Sequence, residues 1–389
     1  MKKGLHLLVV WLLLALFATQ PLTAKAAEVI KSPLGEKTLS AIVIERDTGE
    51  VIFEKNSDKA LPPASMTKIM TMLLVMEAID EGKLSFDEQV TVSEYAASMG
   101  GSQIFLEAGE QMSVDDLLKG IAVASGNDAA VAMAEHIAGS EEGFVKMMNE
   151  KASELNLEQT SFKNTNGLPI ENHYSSAHDL AMIAKELLKY EKITEYTGIY
   201  EDYLRKGTDK EFWLVNTNKL VRFYPGVDGL KTGFTQEAKY GLTATAEKEG
   251  MRVITVVMGS PTSKERNAEV TSLLDHAFNN YSTETLYKKG DVLGEATVVK
   301  GSKKTLEAVT EDQVSILLKK GEDSKEPVVN TSFDETIAAP IQKGDVVGNL
   351  TVEIDGNTVV STDLVASDTI DTASWWQLFK RTLSTFAGK

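Results

Sequence analysis

No cysteine occurs among the 389 residues. That absence excludes disulfides, thiolate zinc, iron–sulfur ligation and a cysteine nucleophile together. It assigns no compartment, because an exported protein can also fold without disulfides. Positive charge is in short supply: 40 Lys and Arg face 57 Asp and Glu, for a formal net charge of −17. A surface built to neutralise phosphates has the opposite balance, so nucleic acid is not an expected partner. The apolar run from Leu5 to Ala18 is too short to span a bilayer comfortably. There is no Gly-x-Ser-x-Gly elbow, which disfavours a Ser-His-Asp hydrolase. His173 and His178 lack a neighbouring carboxylate pair and read as loop and cap residues, so no metal and no other cofactor is expected.

What is present is ample apolar and charged material. At 42% hydrophobic and 25% charged, the chain buries sizeable cores and divides into two or three units of ordinary domain size. Lys2 and Lys3 precede the Leu5 to Ala18 run, and the small-residue pattern Ala24-Lys25-Ala26 follows it. This reads as a secretory signal peptide over residues 1–26, the alternatives being a retained anchor or a buried helix. Its removal takes away three Lys and no acid, moving the formal charge to −20.

Ala41 to Ile44 and Val51 to Phe53 flank a turn at Asp47-Thr48-Gly49 and predict a hairpin. After Pro62-Pro63, Ser65 opens a segment apolar all the way round, the mark of a buried central helix. Helical patterning continues to about Leu188, and strands return at Leu242 to Ala246 and Val253 to Met258. Val270, Leu273, Leu274, Ala277, Phe278 and Tyr281 then recur at helical spacing. These patterns predict one mixed helix-and-strand domain over 27–282 and a small β-rich domain over 283–367. In the latter, Lys289 to Gly294 is echoed by Lys343 to Gly348, through a shared turn type or a duplicated hairpin unit.

Three short motifs carry candidate chemistry. Ser65-Met66-Thr67-Lys68 opens the buried helix, where residues three apart lie side by side and the hydroxyl meets the amine. A serine is a weak nucleophile until a base takes its proton, and a desolvated Lys beside a second cation has its pKa lowered toward that task. Ser125-Gly126-Asn127 interrupts the second apolar helical region, either as a simple turn or cap or as a hydroxyl and an amide lining a cleft. Lys231-Thr232-Gly233 leads into the strand region, either as a turn with a solvated Lys or as an edge offering a cation, a hydroxyl and backbone N–H groups to an anion. Glu107, Glu110 and the pair Glu141-Glu142 read as members of solvated faces.

The order Ser-x-x-Lys, Ser-x-Asn, Lys-Thr-Gly resembles the penicillin-binding protein and serine β-lactamase superfamily. The Ser-Gly-Asn form, Met99-Gly100-Gly101-Ser102, and Asn166-Gly167-Leu168 followed by His173 and His178 are similar to the low-molecular-mass D-alanyl-D-alanine carboxypeptidases, and the likeness covers nearly all of the chain after residue 26. The resemblance implies an α+β, β-lactamase/transpeptidase-like catalytic domain, an antiparallel sheet with flanking helices and a mostly helical insert. A small all-β domain and a C-terminal amphipathic helix would follow. It implies Ser65 as nucleophile, Lys68 as base, and Ser125 as proton relay between Lys68, Lys231 and the leaving amine. Asn127 would hold the substrate backbone, Lys231, Thr232 and Gly233 would meet the terminal carboxylate, and the N–H groups of Ser65 and Phe234 would form the oxyanion hole. The implied substrate is a peptidoglycan stem peptide ending in D-Ala-D-Ala, with β-lactams as covalent inhibitors of the same serine. Two rivals are a β-lactamase and a catalytically silent penicillin-sensing or wall-binding protein. The Glu-x-x-x-Asn arrangement of class A β-lactamases is not found near Glu154 and Asn156, and the intact Ser65, Lys68, Ser125 and Lys231 set speaks against the silent form.

In the last segment, 368–389, Ser374 and Gln377 make a capping box. Trp375, Trp376, Leu378, Phe379, Leu383 and Phe386 then gather on one helix side, with Lys380 and Arg381 on the other. From Ser374 onward there are three cations and no acid. Such a helix suits an anionic membrane interface, or else docks on its own domain or a second subunit. The expectation is an exported protein, peripheral on the outer face of the bacterial cytoplasmic membrane.

Overall fold

The computed structural model describes residues 34–322, 326–333, 336–377 and 379. The expected signal peptide lies outside the described residues, as do Leu378 and residues 380–389 of the expected amphipathic helix. No helix of the described residues is long and apolar enough to cross a membrane.

The predicted hairpin forms β1 (Ser40–Glu45) and β2 (Val51–Lys55). Its turn is tied by the buried Glu45 carboxylate, which accepts from the Thr48 N–H and hydroxyl, both at 2.8 Å. Beside β1 runs the long hairpin β4 (Lys239–Lys248) and β5 (Met251–Ser260), and β3 (Val227–Thr235) closes one edge, giving the antiparallel order β2-β1-β5-β4-β3. Strand alternation sorts the side chains onto two faces. Ile42, Ile44, Ile254 and Val256 point into a large helical core. Ala41, Val43, Leu242 and Val253 point to α6 (Ser263–Asn280), which answers with Val270, Leu273, Leu274 and Ala277.

The helical core surrounds α1 (Lys68–Asp80), which follows a 3-10 turn at Ala64–Thr67 and is buried on every side from Lys68 through Met76. Around it lie α2 (Val114–Ala124), α3 (Asn127–Ala138), α4 (Glu141–Glu154) and α5 (Ala177–Leu187). Ser113, Ser140 and Ser176 start three of these helices by accepting the N–H three residues on. Two carboxylates depart from the solvated faces expected for them. Glu110 takes both Arg205 Nε and Nη2, at 2.6 and 3.1 Å, and Glu141 accepts the Thr165 N–H and hydroxyl at 3.0 and 2.9 Å. Both serve long-range ties that their local sequence does not advertise.

From Tyr281 the chain is β throughout. Strands β6 (Tyr281–Tyr287) and β9 (Val314–Lys319) pair as a ribbon. A six-stranded sheet has the order β10-β12-β13-β8-β7-β11, from β7 (Val292–Val299), β8 (Thr305–Thr310), β10 (Val328–Phe333), β11 (Thr336–Ala338), β12 (Val346–Ile354) and β13 (Asn357–Ala366). The sequence echo builds one turn twice. The Asp291 and Asp345 carboxylates accept the N–H three residues back at 2.8 and 2.7 Å, while Gly290 and Gly344, both at positive φ, donate to Thr310 and Ala366. The two units meet where β8 pairs with β13. Packing on this domain continues through buried Ile370 and Ala373. It meets the catalytic half through Asp47, whose Oδ2 accepts from Gln313 Nε2 and Ser315 Oγ.

Candidate active site

The 3-10 turn puts Ser65 at the head of α1, half-buried, with fully buried Lys68 one turn below it. Lys68 Nζ lies 3.4 Å from Ser65 Oγ, 2.6 Å from Asn127 Oδ1 and 2.8 Å from the Asn166 carbonyl. Asn127 opens α3, and its amide orientation is fixed because Nδ2 donates to the Gly100 carbonyl at 2.7 Å. Its oxygen therefore faces the lysine. The next residue, Asp128, is buried and accepts the N–H groups of Ile104 and Leu106, which pins the 99–106 segment against α3. Ser125, 3% exposed, ends α2 in the left-handed conformation at φ 65°. Ala64, next to Ser65, is also at positive φ, so a residue in this sparsely populated region marks both serine positions.

Lys231 and Thr232 sit on β3 itself, the edge strand that passes the 3-10 turn. Two glycines permit the close approach. A Cβ on Gly233 would come within 2.7 Å of the Pro63 carbonyl, and one on Gly167 within 1.9 Å of the Ala64 carbonyl. The edge strand and the 164–168 loop thus press on the serine-bearing turn from two directions. Thr232 Oγ1 donates to Thr217 Oγ1 at 2.7 Å. Lys231 is 1% exposed, and among the described residues its Nζ donates only to the Thr232 carbonyl, at 3.2 Å. Phe234 is exposed, with its ring centroid 4.3 Å from that of Tyr240.

The electrostatics follow from burial first. Desolvation, then the neighbouring Lys231 charge, hold the Lys68 pKa well below an ordinary amine, against a smaller opposing pull from Asp128. Burial and the Arg266 guanidinium bring Lys231 down to about 7. Arg266, on α6, is itself buried and brought down to about 10 by desolvation. The site therefore gathers three cationic residues out of water, and burial lowers the pKa of each.

The structure brings together Ser65 and Lys68, Asn127 at the start of α3, and Lys231 and Gly233 of β3, and Ser125 ends α2 two residues before Asn127. Sequence reasoning missed the roles of Asn166, whose backbone carbonyl holds Lys68, of Thr217 and of Arg266. The Asn166-Gly167 pair and a lone Arg ahead of an apolar helix were the available signals. His173 is a fixed neutral loop residue: Nδ1 accepts the Lys163 N–H at 3.0 Å, so Nε2 carries the proton toward Thr67 Oγ1 at 2.8 Å. Burial brings its pKa down to about 4. Among the described residues no group of three His, Asp or Glu is placed to hold a metal.

The sequence pattern of the D-alanyl-D-alanine carboxypeptidase family matches residues 27–262, and that of the penicillin-binding protein 5 C-terminal domain matches 281–372. The D-alanyl-D-alanine carboxypeptidase DacF of Bacillus subtilis is 55% identical over 383 residues, covering 98% of each chain. Penicillin-binding protein 5 of Haemophilus influenzae superposes with a TM-score of 0.68 at 32% identity, over 87% of this chain and 99% of that one. Penicillin-binding protein D2 of Listeria monocytogenes, solved in an ampicillin-bound form, does so with a TM-score of 0.54 at 33% identity, over 62% of this chain and 98% of that one. A serine on the turn that opens a buried helix, a desolvated lysine on that helix, an edge-strand Lys-Thr-Gly and these likenesses agree that the chain belongs to the D-alanyl-D-alanine carboxypeptidase family of penicillin-binding serine peptidases.

Proposed function

We propose that Ser65 is the acyl-accepting nucleophile of this carboxypeptidase, that neutral Lys68 is its base, and that the reaction removes the terminal D-Ala from peptidoglycan stem pentapeptides. One observation carries the assignment. A neutral amine has two N–H groups and one lone pair. The Asn127 amide oxygen and the Asn166 carbonyl are acceptors only, so they take the two N–H groups and leave the lone pair to the Ser65 hydroxyl, 3.4 Å away.

In this reading the Ser65 proton passes to Lys68 Nζ as Oγ bonds to the scissile carbonyl carbon. The oxyanion forms against the N–H groups of Ser65 and Phe234, on the turn and on the edge strand. Lys231 and Thr232 hold the terminal carboxylate, the Gly233 position keeps strand and turn close, and Asn127 orients the peptide backbone. As the C–N bond breaks, the leaving amine takes a proton through Ser125, and water then hydrolyses the Ser65 ester. An acidic protein that must bind a carboxylate needs a local cation, and Lys231 supplies it; the arriving carboxylate in turn raises the Lys231 pKa and holds its proton in place. β-Lactams enter the same step and acylate Ser65.

Export and peripheral membrane attachment belong to the same proposal. The leader supports the first. For the second, Ser374 and Gln377 cap each other reciprocally, and the exposed rings of Trp375, Trp376 and Phe379 touch one another, Trp375 stacked on Phe379 and Trp376 edge-on to both.

The test is D-Ala release from a pentapeptide ending in D-Ala-D-Ala, with fluorescent-penicillin labelling alongside. Wild type is expected to do both and Ser65→Ala neither, with a loss of at least about 10⁴-fold in turnover. Labelling of Ser65→Ala would move the nucleophile elsewhere, and fast penicillin turnover would favour a β-lactamase.

A further inference from the structure

The protein is acidic overall, yet five cations line one pocket of about 260 Å³ where the catalytic half meets the β domain. They come from three separate stretches of chain: Arg46 just after β1, Lys185 on α5 with Lys189 just beyond it, and Lys288 with Lys289 in the turn between β6 and β7. The carboxylates lining the same pocket are Asp47, Asp312 and Glu191. Asp47 is already engaged, by Arg46 Nε at 2.5 Å and by Gln313 and Ser315. Asp312 is shared between Lys189 and Lys289 at 3.7 and 3.8 Å, beyond hydrogen-bond distance of either. Glu191 is exposed.

Two of the five cations have no partner of that kind. Among the described residues, neither Lys185 Nζ nor Lys288 Nζ takes part in a hydrogen bond or an ion pair. Lys185 is half-buried under the β1–β2 turn, where a Cβ on Gly49, at φ 76°, would stand 2.8 Å from Nζ. The glycine leaves the room that the ammonium occupies. Burial lowers the Lys185 pKa, against the pull of the Glu45 carboxylate. A partly desolvated ammonium among other cations lacks the counter-charge such groups require. The sequence echo adds a comparison within the molecule: Lys288 of the first turn corresponds to Gln342 of the second. The turn itself therefore needs no lysine there, and the first turn carries one where it meets the pocket.

Compact ammonium charges arriving from separate stretches suit an anion whose oxygens point in several directions, as those of phosphate do, better than a planar carboxylate. The volume lies below that of drug-sized ligands, which fits a small phosphate ester or the phosphate headgroup of a larger molecule. We infer that this pocket is a phosphate-binding site joining the catalytic half to the β domain, with Lys185 and Lys288 as its principal ligands and Lys189 and Lys289 beside them. The inference is independent of the carboxypeptidase reading, since none of these residues belongs to the proposed catalytic set.

Calorimetric titration of the full chain with inorganic phosphate, glycerol 3-phosphate and glycerophosphoglycerol, against sodium chloride of equal ionic strength, tests it. Wild type is expected to bind at least one of the three with a Kd of about 1 mM or tighter at low salt, and more weakly as salt rises. Lys185→Gln combined with Lys288→Gln weakens that binding by at least about tenfold. Lys288→Gln alone, which copies the residue the second turn already carries, weakens it by about threefold to tenfold, whereas Lys343→Gln in the second turn leaves it within about twofold. Tighter binding of inorganic phosphate or glycerol 3-phosphate assigns the site to free phosphate. Tighter binding of glycerophosphoglycerol, the deacylated form of phosphatidylglycerol, assigns it to a lipid headgroup, and either result supports the inference. No saturable binding of any of the three in wild type, or equal affinity in wild type and the double variant, overturns it and leaves the carboxypeptidase untouched.

Discussion

The catalytic half buries Lys68, Asp128, Asp179, Lys231, Arg266 and Glu269, whereas in the described part of the β domain the buried polar side chains are Thr310 and Ser315. The β domain's core is aliphatic, built from residues such as Val298, Leu306, Ile316, Leu350 and Leu364. Both regions contain antiparallel strand pairs with alternating faces, but the catalytic half adds a helical layer, and Lys68, Asp128, Asp179, Arg266 and Glu269 all lie on its helices. An apolar core needs no partner for each atom, while every buried ion costs several kcal/mol unless it is paired or neutralised. The catalytic half accepts that cost where reactivity requires it. The Asp128 carboxylate is met by backbone N–H groups, and burial holds the Lys68 pKa well below that of an ordinary amine. The β domain has no such groups to keep, which fits a region that supports the enzyme rather than performing its chemistry.

The largest way to break this comparison is to remove a buried ion from the catalytic half. Lys68→Met is expected to lower Ser65 acylation by about 10³-fold, the usual worth of a general base, measured by stopped-flow with a fluorescent penicillin. A fall of less than tenfold would mean that another group takes the proton. Next, Leu350→Ala is expected to destabilise the β domain by about 2–5 kcal/mol in denaturant titration, leaving the acylation rate within twofold of wild type. A matching loss of acylation would show that the β domain tunes the site. The smallest effect on catalysis belongs to the tail. Truncation after Ala373 is expected to reduce binding to anionic lipid vesicles by at least about tenfold with D-Ala release unchanged. Equal vesicle binding by the truncated protein would move the membrane contact elsewhere.

Much of this division was legible in the sequence, for reasons that differ by residue. Ser65, Lys68, Ser125, Asn127, Lys231 and Thr232 stood out because the proposed chemistry needs those side chains at short fixed spacings. Ala41 to Ile44 read as a strand through its β-branched run, and α1 as a central helix because it is apolar on every side. Asn166 was hidden because the group that holds Lys68 is a backbone carbonyl, which any residue supplies. Arg266 was hidden because it precedes an apolar helical stripe in an otherwise polar first turn, and its burial comes from the sheet packed against it. Glu110 and Glu141 looked solvated because Arg205 and Thr165 lie 95 and 24 residues away in sequence. The Lys-Thr-Gly segment resembled a turn because of its glycine, which instead lets an edge strand pass close to the Pro63 carbonyl.

The central claim is that a desolvated lysine, kept neutral in part by a second lysine, activates Ser65. Its most direct test is the pH dependence of the second-order rate constant for penicillin acylation in wild type and Lys231→Met, each curve normalised to its own plateau. That constant reports the free enzyme, and its acidic limb follows protonation of Lys68. The Lys231 charge lowers the Lys68 pKa, so its removal raises that pKa. The acidic limb is expected to move to higher pH by about one unit. Superimposable limbs in the two proteins would contradict the account.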